Sequence, residues 1–248
     1  MIATNTGVAS RPTPVSTRRD FLWAFGGMVC AGTAAANLPY LAAARGKDTH
    51  KHHGTKSADK TVTQTFTNSA PITINTAGSA TPFPSQIRVD GFKNATITDV
   101  DVILRGFSHR FPEEVDILLV SPDGRNALVM SDIGTTSGAK DLTIRLDDEA
   151  ATDLPGDPVG LLASGSYRPT NITDSAAPDV FDVTYAPVPS GKVALTTFDG
   201  GDPNGQWRLF IRDDHSGDGG VLSGGWDLQI TATTAASKKK EKKHKKKR

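Results

Sequence analysis

The sequence is poor in cysteine and in aromatic residues. Among its 248 residues Cys30 is the single cysteine, and 6% of the residues are aromatic. Cys30 lies in an N-terminal segment that we expect to be removed, so the mature protein is expected to contain no thiol. This absence excludes a disulfide bond, a thiol nucleophile and a thiolate metal site from the mature protein.

The sequence between residues 61 and 237 also lacks helical periodicity and internal repeats. Short runs with apolar side chains at alternate positions recur instead, separated by clusters of Gly, Pro, Asp and Asn. A period of two is typical of half-buried strands. The predicted strands cover residues 62–67, 85–90, 96–105, 115–120, 126–130, 142–146, 180–185, 192–197, 206–212 and 226–232. This spacing predicts an all-β fold, an antiparallel sandwich or jelly roll, with residues 150–179 as a long surface loop.

The first 44 residues have the features of an export signal. Thr17-Arg18-Arg19-Asp20-Phe21-Leu22 resembles a twin-arginine motif, and Ala42-Ala43-Ala44 is a candidate processing site. The intervening run is weakly apolar, and its glycines, together with Asn37 and Pro39, disfavour the alternative of a membrane-spanning helix. We therefore expect residues 1–44 to be a twin-arginine signal peptide. The protein is expected to be secreted, either extracellular or associated with the cell wall.

Charge is divided unevenly along the chain. Residues 61–237 carry 11 basic and 23 acidic residues, whereas residues 45–60 carry five basic and two acidic ones. Residues 238–248 carry nine basic residues and one acidic residue. Both flanking segments lack large apolar side chains. We expect residues 45–60 to be a disordered linker, residues 61–234 to be the folded domain and residues 235–248 to be a disordered tail.

The tail is expected to bind polyanions. Its net charge of +8 binds anionic polymers with little sequence preference and with strong salt dependence. We expect its partner to be an anionic cell-wall polymer or a membrane surface, and no specific nucleic acid. The alternative is a solubility tail that folds back on the acidic core. The basic residues concerned are Lys238, Lys239, Lys240, Lys242, Lys243, Lys245, Lys246, Lys247 and Arg248.

Two of the predicted strands, residues 206–212 and 226–232, flank a cluster of polar residues. Alternating runs joined by Gly, Asp and Ser predict a β-hairpin with a long loop. Asp213, His215 and Ser216 are the residue types of a hydrolytic triad, but sequence neighbours cannot point at one another as a triad requires. We therefore interpret the cluster as a turn without a catalytic residue.

This turn contains one candidate metal site. Asp214-His215-Ser216-Gly217-Asp218-Gly219 matches the start of a calcium loop, in which Asp214, Ser216 and Asp218 are the candidate oxygen ligands and Asp213 is a further candidate. The glutamate that closes such a loop at position twelve is absent, because Gly225 stands there. The pattern therefore predicts weak calcium binding, against the competing interpretation of a turn whose carboxylates accept backbone hydrogen bonds. No other cofactor is predicted.

Two tryptophans and one histidine are further candidates for a site. Trp207 and Trp226 are suited to stacking on a sugar, but both are in phase with the apolar faces of their strands, so we predict that they pack in the core. His109 stands at the end of a predicted strand and has no second metal ligand near it in sequence. We predict a structural hydrogen-bonding role for it.

Three segments in order resemble the P domain (Homo B domain) of kexin and furin-like proprotein convertases. They are ILRGFSHRFPEEVDILLVSPDG at residues 103–124, Gly205-Gln206-Trp207-Arg208-Leu209, and the final run with Asp213-Asp214, Asp218-Gly219-Gly220-Val221-Leu222 and Trp226-Asp227-Leu228. The resemblance extends over residues 63–232. It departs from the family pattern at Gln206, which replaces a threonine, at Arg110, which replaces an aromatic residue, and at two residues inserted before Asp116.

The resemblance implies a fold and a role. The fold it implies is an eight-stranded jelly roll, and hence an antiparallel jelly-roll β-sandwich for this chain. In the convertases the P domain follows a subtilisin-like protease domain, supports its folding and stability, and supplies no catalytic residue. We therefore expect a secreted, non-catalytic interaction or stabilising module. The alternatives are an accessory domain of a separately encoded subtilisin-like serine endopeptidase and a glycan-binding module.

Two short motifs resemble those of the subtilisin proteases themselves. His53-Gly54-Thr55 resembles the histidine motif, but no apolar helix follows it. The run Gly134-Thr135-Thr136-Ser137-Gly138-Ala139 resembles the serine motif but lacks the Gly-Thr-Ser-x-Ala spacing. No strand ends in Asp-Ser-Gly or Asp-Thr-Gly to supply the acid. Because a triad needs a scaffold that holds its three side chains together, we expect no intrinsic proteolysis.

Overall fold

The computed structural model describes residues 59–134, 137–156, 160–172 and 179–234. The predicted signal peptide, most of the predicted linker and the predicted tail lie outside these ranges. The described helices are two short 3-10 turns, η1 (Pro112–Glu114) and η2 (Leu195–Phe198). In this part of the chain no helix has the length and apolar character needed to cross a membrane.

The described residues form thirteen strands in two sheets. In chain order they are β1 (Lys60–Asn68), β2 (Ile72–Ile74), β3 (Gly78–Ser79), β4 (Ser85–Val89), β5 (Ala95–His109), β6 (Val115–Val120), β7 (Asn126–Ser131), β8 (Ala139–Leu146), β9 (Gly165–Tyr167), β10 (Thr170–Asn171), β11 (Gly205–Asp213), β12 (Gly220–Leu222) and β13 (Trp226–Thr234). The first sheet has the order β1-β13-β5-β12-β2, with β8 also paired to β5 and β9 to β8. The second sheet has the order β10-β7-β6-β11-β3, with β4 also paired to β11.

The prediction of an all-β sandwich is confirmed, and the sheets are mixed rather than purely antiparallel. Strand β9 runs parallel to β8, and β10 runs parallel to β7. Both short strands come from residues 150–179, which were predicted to be a surface loop. That prediction is wrong in part, because the segment supplies an extra strand to each sheet and buries Leu154 and Leu162.

The core lies between the two sheets and takes side chains from both. Val102 and Leu228 of the first sheet and Ile117 and Leu209 of the second belong to one buried apolar cluster. The alternation of buried and exposed residues is clearest in β4, where three side chains face the core and two face solvent. The apolar residues that recur at every second position in the sequence are therefore those on the inner face of each sheet.

The predicted hairpin between residues 206–212 and 226–232 is wrong. Strand β11 belongs to the second sheet and β13 to the first, with β12 between them in the chain. Their alternating apolar residues face one core from opposite sides, a pattern that the sequence periodicity cannot distinguish from a hairpin. Phe210, which breaks the alternation in β11, is buried in a second apolar cluster on the other face of that strand.

Two of the predicted strands are absent from the described structure. Residues 180–185 form an irregular segment with a turn, in which Phe181 is buried while Val180 and Val183 are exposed. Residues 192–197 lead into η2, where Leu195 and Phe198 are buried three positions apart, as one face of a 3-10 helix requires. The strands β2, β3, β9, β10 and β12 were not predicted, because two or three residues are too few to show a period.

Candidate functional site

The run of Asp213, Asp214, His215 and Ser216 begins where β11 ends. The side chain of Asp213 is fully buried, whereas His215 and Ser216 are exposed. Oδ1 of Asp213 accepts a hydrogen bond from the backbone N–H of His215 at 2.9 Å. Its Oδ2 lies 3.1 Å from Nε2 of a distant histidine, His109. The four neighbours therefore form a turn and not a triad.

The candidate calcium loop, Asp214–Gly219, follows directly. Oδ1 of Asp218 accepts a hydrogen bond from Arg110 at 3.3 Å, and Gly217 adopts a φ of 124°, in the region that favours glycine. Burial raises the pKa of Asp214, and the neighbouring Arg212 opposes this rise.

Ligand-type side chains converge elsewhere. Two groups of three His, Asp or Glu residues among the described positions bring ligand atoms within 4.8 Å of one another, and neither contains Asp214 or Asp218. Calcium binding by Asp214, Ser216 and Asp218 therefore stays a prediction that rests on the sequence pattern. Asp213 belongs to the first of the two groups.

The first group contains a fully buried pair, His109 and Asp213, which we call the clasp. His109 is the last residue of β5 in the first sheet, and Asp213 is the last residue of β11 in the second, so their contact joins the two sheets. Nδ1 of His109 lies 2.8 Å from the carbonyl oxygen of Phe111 and 3.2 Å from the N–H of the same residue. Both ring nitrogens are thus engaged, and the predicted structural role of His109 is confirmed.

A glycine makes room for the histidine ring of the clasp. Gly220, the first residue of β12, pairs with His109 across the sheet. A Cβ atom at Gly220 would lie 2.5 Å from Cδ2 of His109 and 2.3 Å from the carbonyl oxygen of Ser108. Side-chain carbons do not approach so closely, so only glycine fits the position beside the ring.

Glu114 completes the first group. It ends η1, and its Oε2 is buried without a hydrogen-bond partner in the described part of the chain. Burial raises the pKa of Glu114, the nearby Asp213 raises it further, and His109 opposes the rise. The carboxylate therefore lies next to the clasp without adding a hydrogen bond to it.

The clasp is suited to holding the sheets together and not to acid–base chemistry. A general base must reach the proton that it abstracts from a substrate. The ring of His109 has no solvent exposure, and its nitrogens face Asp213 and Phe111. The adjacent Ser108 accepts a hydrogen bond from the N–H of Asp141 at 2.8 Å. Removing one partner of such a buried pair typically costs about 3–5 kcal/mol.

The second group surrounds a serine, and we call it the Ser131 cluster. It consists of Asp116 from β6, Ser131 at the end of β7, the following Asp132, Asn171 from β10 and Asp179. Oγ of Ser131 lies 2.7 Å from a carboxylate oxygen of Asp116, 3.1 Å from one of Asp132 and 2.8 Å from one of Asp179. The parallel pairing of β10 with β7 puts Asn171 opposite Ser131, and its amide group donates to Asp179 at 3.0 Å.

The Ser131 cluster brings several negatively charged groups close together, since three of its members are aspartates. Burial raises the pKa of Asp116 to about 7; the hydrogen bond from Ser131 opposes the rise, and nearby carboxylates, Asp179 first, add to it. The side chain of Asp116 is 2% exposed, and its Oδ2 has no hydrogen-bond partner among the described residues. The nearest arginine nitrogen, Nε of Arg212, is 4.0 Å from that oxygen.

Sequence reasoning missed the Ser131 cluster. Its acids come from three separate segments, so no short motif with fixed spacing contains them. One signal was available, since Asp116 is the only charged residue in the otherwise apolar run Val115–Val120. A lone carboxylate on a strand that is buried on both faces needs a hydrogen-bond or ionic partner. The sequence therefore indicates that Asp116 belongs to a buried polar group, but it does not show which residues are its partners.

The two tryptophans lie in the core, as predicted. Trp207 and Trp226 have no solvent exposure. The indole N–H of Trp207 donates to the carbonyl oxygen of Pro203, and that of Trp226 donates to Oγ of Ser85, each at 3.0 Å. Neither ring is therefore available for stacking on a sugar.

The other predicted residues are distributed as follows. Ser137 is exposed and precedes β8, and the region that resembles a serine motif around it is described only in part. His53 and the basic residues of the tail, Lys238 to Arg248, lie outside the described residues. The structure thus places Asp213 in the clasp, Asp218 beside Arg110 and Ser137 at the surface.

Comparisons with known proteins give likenesses to solved structures. No known protein family matches the chain, and no curated protein does. Among solved structures, the chain is similar to the serine protease of Aeromonas sobria in two crystal structures, one of which also contains the chaperone of that protease. In each case the identity is 15% and the TM-score is 0.35, over 73% of this chain and 28% of the other. The match thus spans under a third of the protease's length, and a likeness of this size assigns neither family nor activity.

Proposed function

We propose that the chain is a secreted, non-catalytic β-sandwich module that acts by binding a partner protein. The observation that carries this proposal is an exposed apolar stretch, residues 180–188, which we call the outer segment. Val180 is 54% exposed, Tyr185 is 62% exposed, and Val183 and Val188 are each 70% exposed. Several large apolar side chains that point into water within nine residues are typical of an interaction surface.

The outer segment is fixed to the second sheet by its remaining side chains. Phe181 and Ala186 are buried in the cluster that contains Phe210 on the outer face of β11. Phe83 packs edge-on against Tyr185, with ring centroids 6.5 Å apart. Because the backbone is held in this way, a partner would not have to order the segment on binding, and preorganised surfaces of this kind lose less entropy in a complex.

The chemistry of the outer segment fits a protein partner. Covering exposed apolar surface contributes about 25 cal/mol per Å². Tyrosine is enriched among the residues that dominate binding energy at protein interfaces. The partner is therefore expected to present an apolar groove that accommodates Tyr185 between the valines at positions 183 and 188.

The resemblance to the P domain suggests which partner to test first. P domains support a subtilisin-like protease domain, so the second candidate function is that of an accessory domain for a separately encoded, secreted subtilisin-like serine endopeptidase. The outer segment supports this proposal, because a stabilising module needs an apolar surface that its client covers. Under this proposal the protease supplies all of the catalytic residues.

Secretion and surface attachment belong to the same proposal. Residues 1–44 would direct export by the twin-arginine pathway, and the tail would hold the module at an anionic cell-wall polymer or membrane surface. The net charge of −12 over residues 61–237 supports an attachment through the tail, since the core itself is repelled by such a surface.

The absence of catalysis can be measured on the purified chain. Casein and peptides with basic cleavage sites should stay intact, and the variants Ser137→Ala and His53→Ala should behave as the parent chain does. The buried clasp supports this expectation, because its histidine cannot reach a substrate. Labelling by a serine-directed activity probe that is lost in Ser137→Ala would contradict the proposal.

The partner proposal is tested by placing charge on the outer segment. We expect the double variant Val183→Asp/Tyr185→Asp to bind a co-secreted subtilisin-like protease at least about 30-fold more weakly than the parent, since two residues at the centre of an interface are removed. Leu161→Asp is the matched control, because Leu161 is 68% exposed outside the outer segment. Equal losses in both variants, or no loss in the double variant, would contradict the role of the outer segment.

A further inference from the structure

We propose that the Ser131 cluster is a calcium site, formed by the carboxylates of Asp116, Asp132 and Asp179 with Oγ of Ser131 and Oδ1 of Asn171 as neutral oxygen donors. This site is separate from the Asp214–Gly219 loop. The inference does not depend on the proposed partner, because it rests on the hydrogen-bond balance of the cluster alone.

The first argument is a shortage of hydrogen atoms. Three carboxylate oxygens lie within 3.1 Å of Oγ of Ser131, one from each aspartate. A serine hydroxyl carries a single hydrogen and donates one hydrogen bond. Two of the three short oxygen–oxygen contacts therefore have no hydrogen from Ser131, and when the carboxylates are ionised these contacts set lone pairs against lone pairs. A cation among these oxygens would convert that repulsion into attraction.

The second argument is independent of the first and concerns buried oxygen atoms without partners. The side chain of Asp116 is only 2% exposed, and its Oδ2 accepts no hydrogen bond from any described residue. Oδ1 of Asn171 is likewise buried without a partner in the described chain, while the amide nitrogen of the same side chain faces Asp179. A buried carboxylate oxygen without a donor costs several kcal/mol unless a cation is bound to it.

Arg212 compensates the charge of Asp116 only in part. Its Nε lies 4.0 Å from Oδ2 of Asp116, beyond hydrogen-bond distance, and its Nη1 donates to the carbonyl oxygen of Val180. One guanidinium also leaves Asp116 and Asp179, which both contact Ser131, with excess negative charge. The raised pKa of Asp116 agrees with this balance, because burial and the neighbouring acids all disfavour its ionised form.

The donor set favours calcium over other metals. All of the atoms in the cluster are oxygens, which are the ligands of hard cations and do not suit zinc or copper. Calcium binds six to eight oxygens at about 2.3–2.6 Å, so ligands on opposite sides of one ion lie up to about 5 Å apart. The three aspartates offer oxygens within 4.8 Å of one another, which fits a single ion. Three carboxylates also exceed the one or two that magnesium sites commonly use.

The clasp does not meet the same conditions. Its group mixes a histidine nitrogen with carboxylate oxygens, and the nitrogen already faces Asp213 at 3.1 Å while the other ring nitrogen faces Phe111. A metal at this position would have to displace the contact of Nε2 with Asp213 or that of Nδ1 with Phe111. The Ser131 cluster is therefore the better cation site of the two.

The test is isothermal titration of the full chain with calcium chloride after treatment with a chelator. We expect one ion per chain in this site and a loss of affinity of at least about tenfold in Asp179→Asn, a variant at an incompletely buried position that is expected to fold. Asp116→Asn should give the same loss. The controls are Asp182→Asn, three residues beyond Asp179, and Asp218→Asn in the loop, and both should retain the affinity of the parent for this site.

The outcomes separate the candidate sites. Binding that is lost in Asp179→Asn and Asp116→Asn but kept in Asp218→Asn supports the proposal. Binding that is lost in Asp218→Asn and kept in Asp179→Asn would assign the ion to the loop and overturn it. No heat of binding up to about 10 mM calcium, well above the millimolar range of weak extracellular sites, would also overturn it. Near-ultraviolet circular dichroism of each variant establishes that it is folded.

Discussion

The clasp and the Ser131 cluster are two buried polar groups that balance their charges in opposite ways. They are close in the fold, since Asp116 pairs in register with Arg212, the residue before Asp213. In the clasp each ring nitrogen of His109 lies within hydrogen-bond distance of a partner, Nε2 beside Asp213 and Nδ1 beside Phe111. In the Ser131 cluster one oxygen from each of three carboxylates lies against a single hydroxyl, which has one hydrogen to donate.

The difference separates a structural contact from a binding site. A buried pair whose polar atoms contact partners within the protein adds rigidity, whereas a buried group with excess acceptors is stable only when protonated or bound to a cation. The β-sandwich therefore contains the clasp, which holds its two sheets together, and close to it the Ser131 cluster, which is suited to binding a cation. Substitutions in the two groups should consequently change stability in opposite directions.

The largest expected effect is on the clasp. His109→Ala leaves Oδ2 of the buried Asp213 without its partner and should lower the free energy of unfolding by about 3–5 kcal/mol, measured by urea denaturation at pH 7. His215→Ala is the control, because His215 is exposed and contributes its backbone N–H, which the variant keeps; its effect should stay within about 0.5 kcal/mol. A loss of under about 1 kcal/mol in His109→Ala would contradict a fastening role.

The next largest expected effect is a gain in the free energy of unfolding, caused by substitution of Asp116. The folded-state pKa of Asp116 is about 7 against an ordinary value of 3.8, so this group favours the fold below about pH 4, and its contribution is lost as the pH rises through 7. Without calcium, Asp116→Asn should therefore be more stable than the parent at pH 8. The gain should be up to about 4 kcal/mol, since each pKa unit corresponds to about 1.4 kcal/mol.

Asp101 provides the control for that prediction. Burial raises its pKa to about 7 as well, although Arg145 opposes the rise from 2.7 Å. Bound calcium should abolish the contribution of Asp116 to the pH dependence of the free energy of unfolding, and it should leave the contribution of Asp101 unchanged. A parent chain whose stability between pH 4 and pH 8 does not fall, or falls equally in Asp116→Asn, would contradict the assignment.

The smallest expected effect on stability belongs to the tail. Deleting residues 238–248 should leave the melting temperature unchanged, because neither buried group involves the tail. The deletion should nevertheless release the protein from cell walls and anionic vesicles, since each Lys or Arg near such a surface contributes about 1 kcal/mol. About half-molar salt should release the intact chain, because attachment of this kind displaces counterions. A truncated chain that stayed attached would assign the binding to the sandwich.

Much of the fold could be predicted from the sequence, because burial on one face leaves a period of two. Strands β1, β4, β5, β6, β7, β8, β11 and β13 coincide with predicted runs. The partner of each strand could not be predicted, since β11 and β13 show the same alternation whether they pair or face each other across the core. Residues 180–185 of the outer segment were predicted as a strand, but Val180, Val183 and Tyr185 face solvent while Phe181 is buried.

The candidate sites were less predictable than the fold. The role of His109 could be predicted, because a lone histidine at a strand end most often forms structural hydrogen bonds. The Ser131 cluster could not, because Asp116 and Asp179 are 63 positions apart in the numbering and meet only when β10 pairs with β7. The Asp214–Gly219 loop matches the start of a calcium-loop motif. The carboxylates of the Ser131 cluster lie closer together in space, but they belong to no sequence motif.

The most direct test of the contrast between the two groups is a crystal structure of the chain grown with calcium, with the ion located by its anomalous scattering. We expect one peak within about 2.3–2.6 Å of oxygens from Asp116, Asp132 and Asp179, and no peak at the clasp. A peak bound by Asp214 and Asp218, or density at neither place in a crystal that contains millimolar calcium, would contradict the account.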